Sequence, residues 1–264
     1  MLSLAAWVGT AAATVAAALA APQVDVALVL AVDVSDSMDA GELAVQRAGY
    51  VAALSHPDFL RAVREGESGR VALTYFEWAG SVRRESVVGW SIIDGPESAG
   101  RFAEKLAAQP FQTFRSTSIS NALAFGQQLL AGSGVTADRQ VIDISGDGPN
   151  NFGPPVLAVR DRVLGTGITI NGLPIVIRPS PTFPEIDRYY AACVIGGPGA
   201  FVVSIHTIGE FADAIRRKLV LEVSGDPADQ AAPLPAAASA PVDCSVGERL
   251  RRSLSDKFYP ELDR

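Results

Sequence analysis

Three short polar clusters carry side chains that could hold a hard cation. They are Asp33-Val34-Ser35-Asp36-Ser37, Arg115-Ser116-Thr117-Ser118 and Ser145-Gly146-Asp147-Gly148. Between them they offer hydroxyls from Ser35, Ser37 and Thr117 and carboxylates from Asp33 and Asp147. An oxygen-only set with few carboxylates suits Mg2+, with Mn2+ or Ca2+ as alternatives. Any one cluster alone could be a capped turn, since Asp and Ser commonly serve there. Three are informative only if the fold brings them together. Asp36 and Asp39 are read as solvated residues or as caps of the helix that starts near Gly41, with no ligand role.

The elements around the clusters place them at strand ends. Val24–Val32 is an almost unbroken apolar run of the kind found in strands buried on both faces. Further strands are expected at Arg70–Phe76, Ser81–Trp90, Arg139–Ser145, Ile168–Ile175 and Ala200–Ser204, with a hairpin across Ala79-Gly80. Helical spacing marks Glu42–Ser55, ended by Pro57, and Glu97–Ala108, ended by Pro110. It also marks Ile119–Leu130, Pro154–Leu164, Pro184–Ala192 and Thr207–Leu221, the last with a Thr207/Glu210 capping box. This alternation predicts an α/β fold, a doubly wound, mostly parallel six-stranded sheet with one antiparallel strand and helices on both faces. Ligands of such sheets bind beyond the carboxyl ends of the strands. Asp33 and Asp147 follow strands directly, and Thr117 precedes a helix.

In that context Asp33-x-Ser35-x-Ser37 resembles the D-x-S-x-S signature of von Willebrand factor A and integrin I domains. Arg115-Ser116-Thr117-Ser118-Ile119 resembles their second loop. Gly146-Asp147-Gly148 resembles the Thr-Asp-Gly of their third, with Gly146 in place of the threonine. The likeness spans about residues 24–222 and implies a Rossmann-like fold with a metal-ion-dependent adhesion site. In it Ser35, Ser37 and Thr117 would bind the cation through hydroxyls, and Asp33 and Asp147 through waters or, for one of them, directly. A cation held mainly by hydroxyls and water stays electrophilic, so it would attract an acidic residue of a protein partner. More narrowly, Phe76-Glu77-Trp78-Ala79-Gly80, the run Val141 to Gly148, the run Gly167 to Ile175 and the run Val194 to Phe201 look like a bacterial exported family, domain of unknown function 1194.

Competing chemistry is poorly supported. Counted from Asp33, the invariant glycine and glutamate positions of an EF-hand fall on Met38 and Ala44. There is no P-loop, H-E-x-x-H or G-x-S-x-G. His56 and His206 are isolated, and Gly196-Gly197-Pro198-Gly199 leads into a strand rather than the helix a phosphate cradle needs. The reading is a binding module rather than an enzyme. Metal-dependent hydrolysis and a metal that only staples loops are the alternatives. Trp78 is read as core, Asn150 and Asn151 as turn residues. Asp143 lies inside an apolar strand, so it has either an internal partner or an edge position facing solvent.

The 264 residues carry a net charge of −7, with no lysine-rich block, which excludes a nucleic-acid footprint. Residues 1–20 are apolar, and Ala18-Leu19-Ala20 offers a cleavage pattern. They read as a signal peptide of an exported, periplasmic or secreted protein. An uncleaved membrane anchor is the alternative. The domain assigned to residues 24–222 is followed by a Pro/Ala-rich linker at 225–243 and a charged tail at 244–264 with a short helix near Gly247–Phe258. Cys193 and Cys244 are the two cysteines. An exported protein can oxidise them, and the sequence leaves open whether they pair or stay separate thiols.

Overall fold

The computed structural model describes residues 20–178, 183, 185–225 and 241–258, with side chains to residue 253. Nearly all of the expected signal segment, most of the linker and the last six residues lie outside the described residues. Among the described residues no helix is long and apolar enough to cross a membrane.

Strand β1 (Gln23–Asp33) is followed by α1 (Ala40–Leu54), α2 (Pro57–Glu65), β2 (Val71–Trp78), β3 (Val82–Ile93) and α3 (Pro96–Ala107). Then come α4 (Ile119–Ala131), β4 (Thr136–Gly146), α5 (Val156–Leu164), β5 (Thr169–Pro174) and α6 (Ile186–Tyr189), which runs on as a π-helical turn at Tyr190–Val194. A 3-10 turn at Ile208–Glu210 opens α7 (Phe211–Ser224), and α8 spans Val246–Phe258. The sheet order is β3-β2-β1-β4-β5. All pairings are parallel except β2 with β3. The hairpin and the one antiparallel strand therefore stand where the sequence places them.

Strand β1 is buried from Val24 to Asp33 because helices cover both faces. Successive side chains alternate faces. Leu28 and Leu30 meet Tyr50, Phe59, Phe102 and Phe211 on one side. Val29 and Ala31 meet Ile119, Leu123 and Val159 on the other.

Two expectations need correction. Among the described residues the sheet has five strands, not six. The segment expected as a sixth, Ala200–Ser204, makes only one isolated parallel bridge, Val202 with Gly172, and Ile205 just beyond it makes another with Ile175. Pro174 in β5 has no N–H to offer, and the Asn171 side chain takes the Phe201 N–H at 2.9 Å, so the ladder does not become continuous. Second, α1 does stop before Pro57, at Leu54, but Pro57 also opens a further helix that was not expected. It is the first residue of α2, where its missing N–H costs no hydrogen bond, and the His56 ring accepts from Asp58 N at 3.1 Å. Asp39 and Glu42 form a full capping box on α1, and Thr207 and Glu210 form the expected one before α7.

Asp143 has an internal partner. It is 1% exposed, and Lys218 Nζ of α7, equally buried, stands 3.0 Å away. Lys218 also pairs with Glu222 Oε1 at 2.5 Å, and Asn171 donates to Glu222 Oε2 at 2.6 Å. One ammonium thus serves two buried carboxylates. Burial, reinforced by the Glu222 charge, raises the Asp143 carboxyl to about 7 against the pull of Lys218. Burial draws Lys218 down, but its two carboxylate neighbours outweigh that and hold it above the usual range.

Cys193, in the π turn, is disulfide-bonded to Cys244, with Cα atoms 5.5 Å apart. The bridge brings α8 against the body. Gly247 packs so tightly on Asn150 that a Cβ there would lie 2.2 Å from the Asn150 carbonyl oxygen. Glu248 Oε1 accepts from Asn150 Nδ2 at 2.8 Å.

Candidate metal centre

The chain order turns back at β1, whose neighbours β2 and β4 leave it on opposite sides. That switch point opens a crevice at the carboxyl edge of the sheet. Asp33 ends β1 there, and Asp147 follows β4.

The first loop is wound tightly by its own aspartate. Ser35 N donates to Asp33 Oδ1 at 2.8 Å. The Ser35 and Ser37 hydroxyls are 2.9 Å apart, and Ser37 Oγ donates to Asp147 Oδ1 at 2.7 Å. One chain of contacts therefore joins the first and third loops. The second loop is brought in by backbone pairing. Phe114 N donates to Val34 O at 3.1 Å, and Asp36 N donates to Phe114 O at 2.9 Å. Ser116 then adopts a left-handed conformation, φ 70°, which is uncommon for a residue with a side chain and turns the chain toward Thr117. Ser118 caps α4, accepting from Asn121 N at 3.3 Å.

Thr117 is 4% exposed, and a Cβ on Gly148 would lie 3.6 Å from its Oγ1, so the second and third loops touch. Asn151 clasps the same residue twice: its Oδ1 accepts from Thr117 N at 2.8 Å, and its N–H donates to Thr117 O at 2.9 Å. Asn150 Oδ1 accepts from Ser120 N at 3.0 Å. Asn150 and Asn151, expected only to mark a turn, thus hold the second loop on the third. Tyr190 was not singled out by sequence at all. Its hydroxyl and Asp33 Oδ2 both come close to Gly146, within 2.6 and 2.8 Å of where a Cβ would stand, an approach of segments too distant for any local pattern to reveal. Arg178 stands at the rim, half-exposed, paired with Glu42 and Asp39 and donating to Ser37 O at 3.3 Å.

The donor set fits a divalent cation on two observations. Asp33 Oδ2 is sealed from solvent and has no hydrogen-bond partner. Burial, and then the charge of Asp147, push the Asp33 carboxyl well above its usual range. Burial also raises Asp147, against the hydrogen bond from Ser37. A cation between the two would relieve both penalties. Among the described residues no cluster of three or more His, Cys, Asp or Glu side chains could hold a metal. A cation here would therefore depend on the hydroxyls of Ser35, Ser37 and Thr117 for part of its shell.

No curated protein matches the chain. Solved structures do. The pilus adhesin SpaC from Lactobacillus rhamnosus GG superposes with a TM-score of 0.57 at 13% identity, over 76% of this chain and 30% of its own. The von Willebrand factor type A protein from Catenulispora acidiphila gives 0.53 at 16%, over 76% and 43%. Proximal thread matrix protein 1 from the mussel byssus, described with a zinc-occupied metal-ion-dependent adhesion motif, gives 0.51 at 10%, over 77% and 49%. The chain spans less than half the length of each of them, and identities this low establish the fold alone. The fold is that of a von Willebrand factor A domain, as the sequence motifs imply. The family model described as "Protein of unknown function (DUF1194)" matches residues 23–227, most of the chain, and to that family this protein belongs.

Proposed function

We propose that the protein is an exported binding module that grips an acidic residue of a protein partner through a divalent cation held by Asp33, Ser35, Ser37, Thr117 and Asp147. The observation that carries this reading is the interlocking of three loops that bring these side chains to one edge of the sheet. Mg2+ is the first choice, with Mn2+ and Ca2+ as alternatives, because the donors are all oxygen and mostly uncharged. Hydroxyls would do most of the direct binding. The cation would supply an electrophilic position open to a carboxylate. The loops supply the rest: Asp33 braces Ser35, and Asn151 fixes Thr117.

Two likenesses support the reading. A structural neighbour carries a metal in the corresponding kind of motif, and another is an adhesin. The apolar residues 1–20 and the Cys193–Cys244 bridge suit export to an oxidising compartment.

The test is capture of partners by the immobilised protein in Mg2+ and in chelator. A protein retained in Mg2+ and lost both in chelator and with Asp33→Ala supports the module. Retention that ignores both treatments refutes the metal bridge. If chelation only lowers the melting temperature and no partner depends on it, the metal is a staple.

A further inference from the structure

Tyr190 and Asp33 approach each other across Gly146. A Cβ on residue 146 would lie 2.6 Å from Tyr190 Oη and 2.8 Å from Asp33 Oδ2. Both residues are fully buried, and both of these oxygens lack a hydrogen-bond partner. Such orphans are rare in cores and call for a reason. Here one is a hydroxyl that can donate and the other a carboxylate oxygen that can only accept.

Packing does not account for the hydroxyl. The Tyr190 ring belongs to an apolar cluster, which a phenylalanine ring would fill equally well. Its neighbour Tyr189 shows the contrast. The Tyr189 hydroxyl accepts from Asn150 N at 3.2 Å and donates to Cys244 O at 3.4 Å. Tyr190 opens the π-helical turn, where Ile195 N bonds back to Tyr190 O at 3.0 Å. Single π turns often mark functional positions, because the wider turn re-aims a side chain.

We propose that Tyr190 is a positioning residue for the cation site: its hydroxyl donates to Asp33 Oδ2, directly or across one water, and fixes the direction of that carboxylate. Ser35 N already holds Oδ1. With Tyr190 on Oδ2, both oxygens of Asp33 are defined. The glycine at 146 follows, since any side chain there would enter the space between the two groups. In this protein the hydroxyl next to Asp33 thus comes from a distant helix rather than from position 146. The inference rests on the metal-binding reading above.

The experiment compares wild type and Tyr190→Phe as full chains. In the metal-free state Tyr190→Phe folds but melts below the wild-type temperature, because Asp33 Oδ2 loses its donor. Calorimetric titration with Mg2+ finds its affinity about 10-fold weaker, as expected when a group that orients a ligand is lost. Wild type gives a tyrosine absorbance difference on adding Mg2+ that Tyr190→Phe lacks. Gly146→Ala is the second variant: its methyl pushes the hydroxyl off Asp33, and Mg2+ affinity falls there too. Mg2+ affinity of Tyr190→Phe equal to that of wild type overturns the role of Tyr190, whatever Gly146→Ala does, while leaving the cation site standing. A wild type that binds no divalent cation overturns the proposed function and this inference together.

Discussion

Replacing Lys218 with methionine lowers the unfolding free energy by about 3–5 kcal/mol, the range for breaking a buried ion pair from one side. The ammonium serves Asp143 and Glu222, all three side chains being at most 1% exposed. Methionine fills the volume and leaves two carboxylates sealed in the core without a cation. Urea denaturation measures the loss. Adding Asp143→Asn and Glu222→Gln to Lys218→Met recovers most of it, because the stranded charges are gone. A Lys218→Met protein as stable as wild type contradicts the account.

The same cluster sets a pH dependence. Burial raises the Asp143 carboxyl to about 7 in the fold, against about 3.9 for a free aspartate. Between those values the folded protein keeps a proton that the unfolded chain has released. Stability from this group is therefore greatest below about pH 4 and falls as pH rises toward 7. The groups that face it are Lys218 and Glu222 from α7 and Tyr50 from α1. Asp143→Asn removes that fall, and the difference between the two melting curves isolates it from other carboxylates.

Cys244→Ser is the second large effect. The bridge closes a loop of 51 residues in sequence separation. Chain entropy for a loop of that size gives about 4 kcal/mol, within a general range of about 2–5 kcal/mol. The loss appears as a lower urea midpoint in the variant and in reduced wild type alike. Unreduced, denatured wild type should show no free thiol; two free thiols would contradict the bridge. The effect reaches beyond the linkage. Without the bridge α8 is freer to leave Asn150, and Asn150 positions Ser120 N at the start of α4, next to Thr117.

What the sequence disclosed followed from local causes. The apolar run at Val24–Val32 suited a strand covered on both faces, Thr207 marked a helix start by its capping box, and Asp39, read as solvated or a cap, proved to be a cap. The candidate ligands were legible because each follows a strand or precedes a helix. What escaped was tertiary. Pro57 was read only as a stop for the preceding helix; that it also opens α2 shows in the His56 ring capping Asp58 N. The segment 200–204 has strand composition, yet Asn171 and Pro174 of the neighbouring strand deny it a continuous ladder. Asp143 was ambiguous until Lys218, 75 positions later in the chain, supplied a partner. Asn150 and Asn151 bond to residues far away in sequence, and Tyr190 comes near Asp33 only through the fold, so no motif around them carries the signal.

The most direct test of the cation site is a calorimetric titration of metal-free protein with Mg2+, and then with Mn2+ and Ca2+, beside Asp147→Ala. One saturable site in wild type, weakened by about 100-fold or more in the variant, is the predicted result, since even outer partners of a ligand are worth 10–100-fold. No binding of any of the three cations, or equal affinity in wild type and Asp147→Ala, would contradict it.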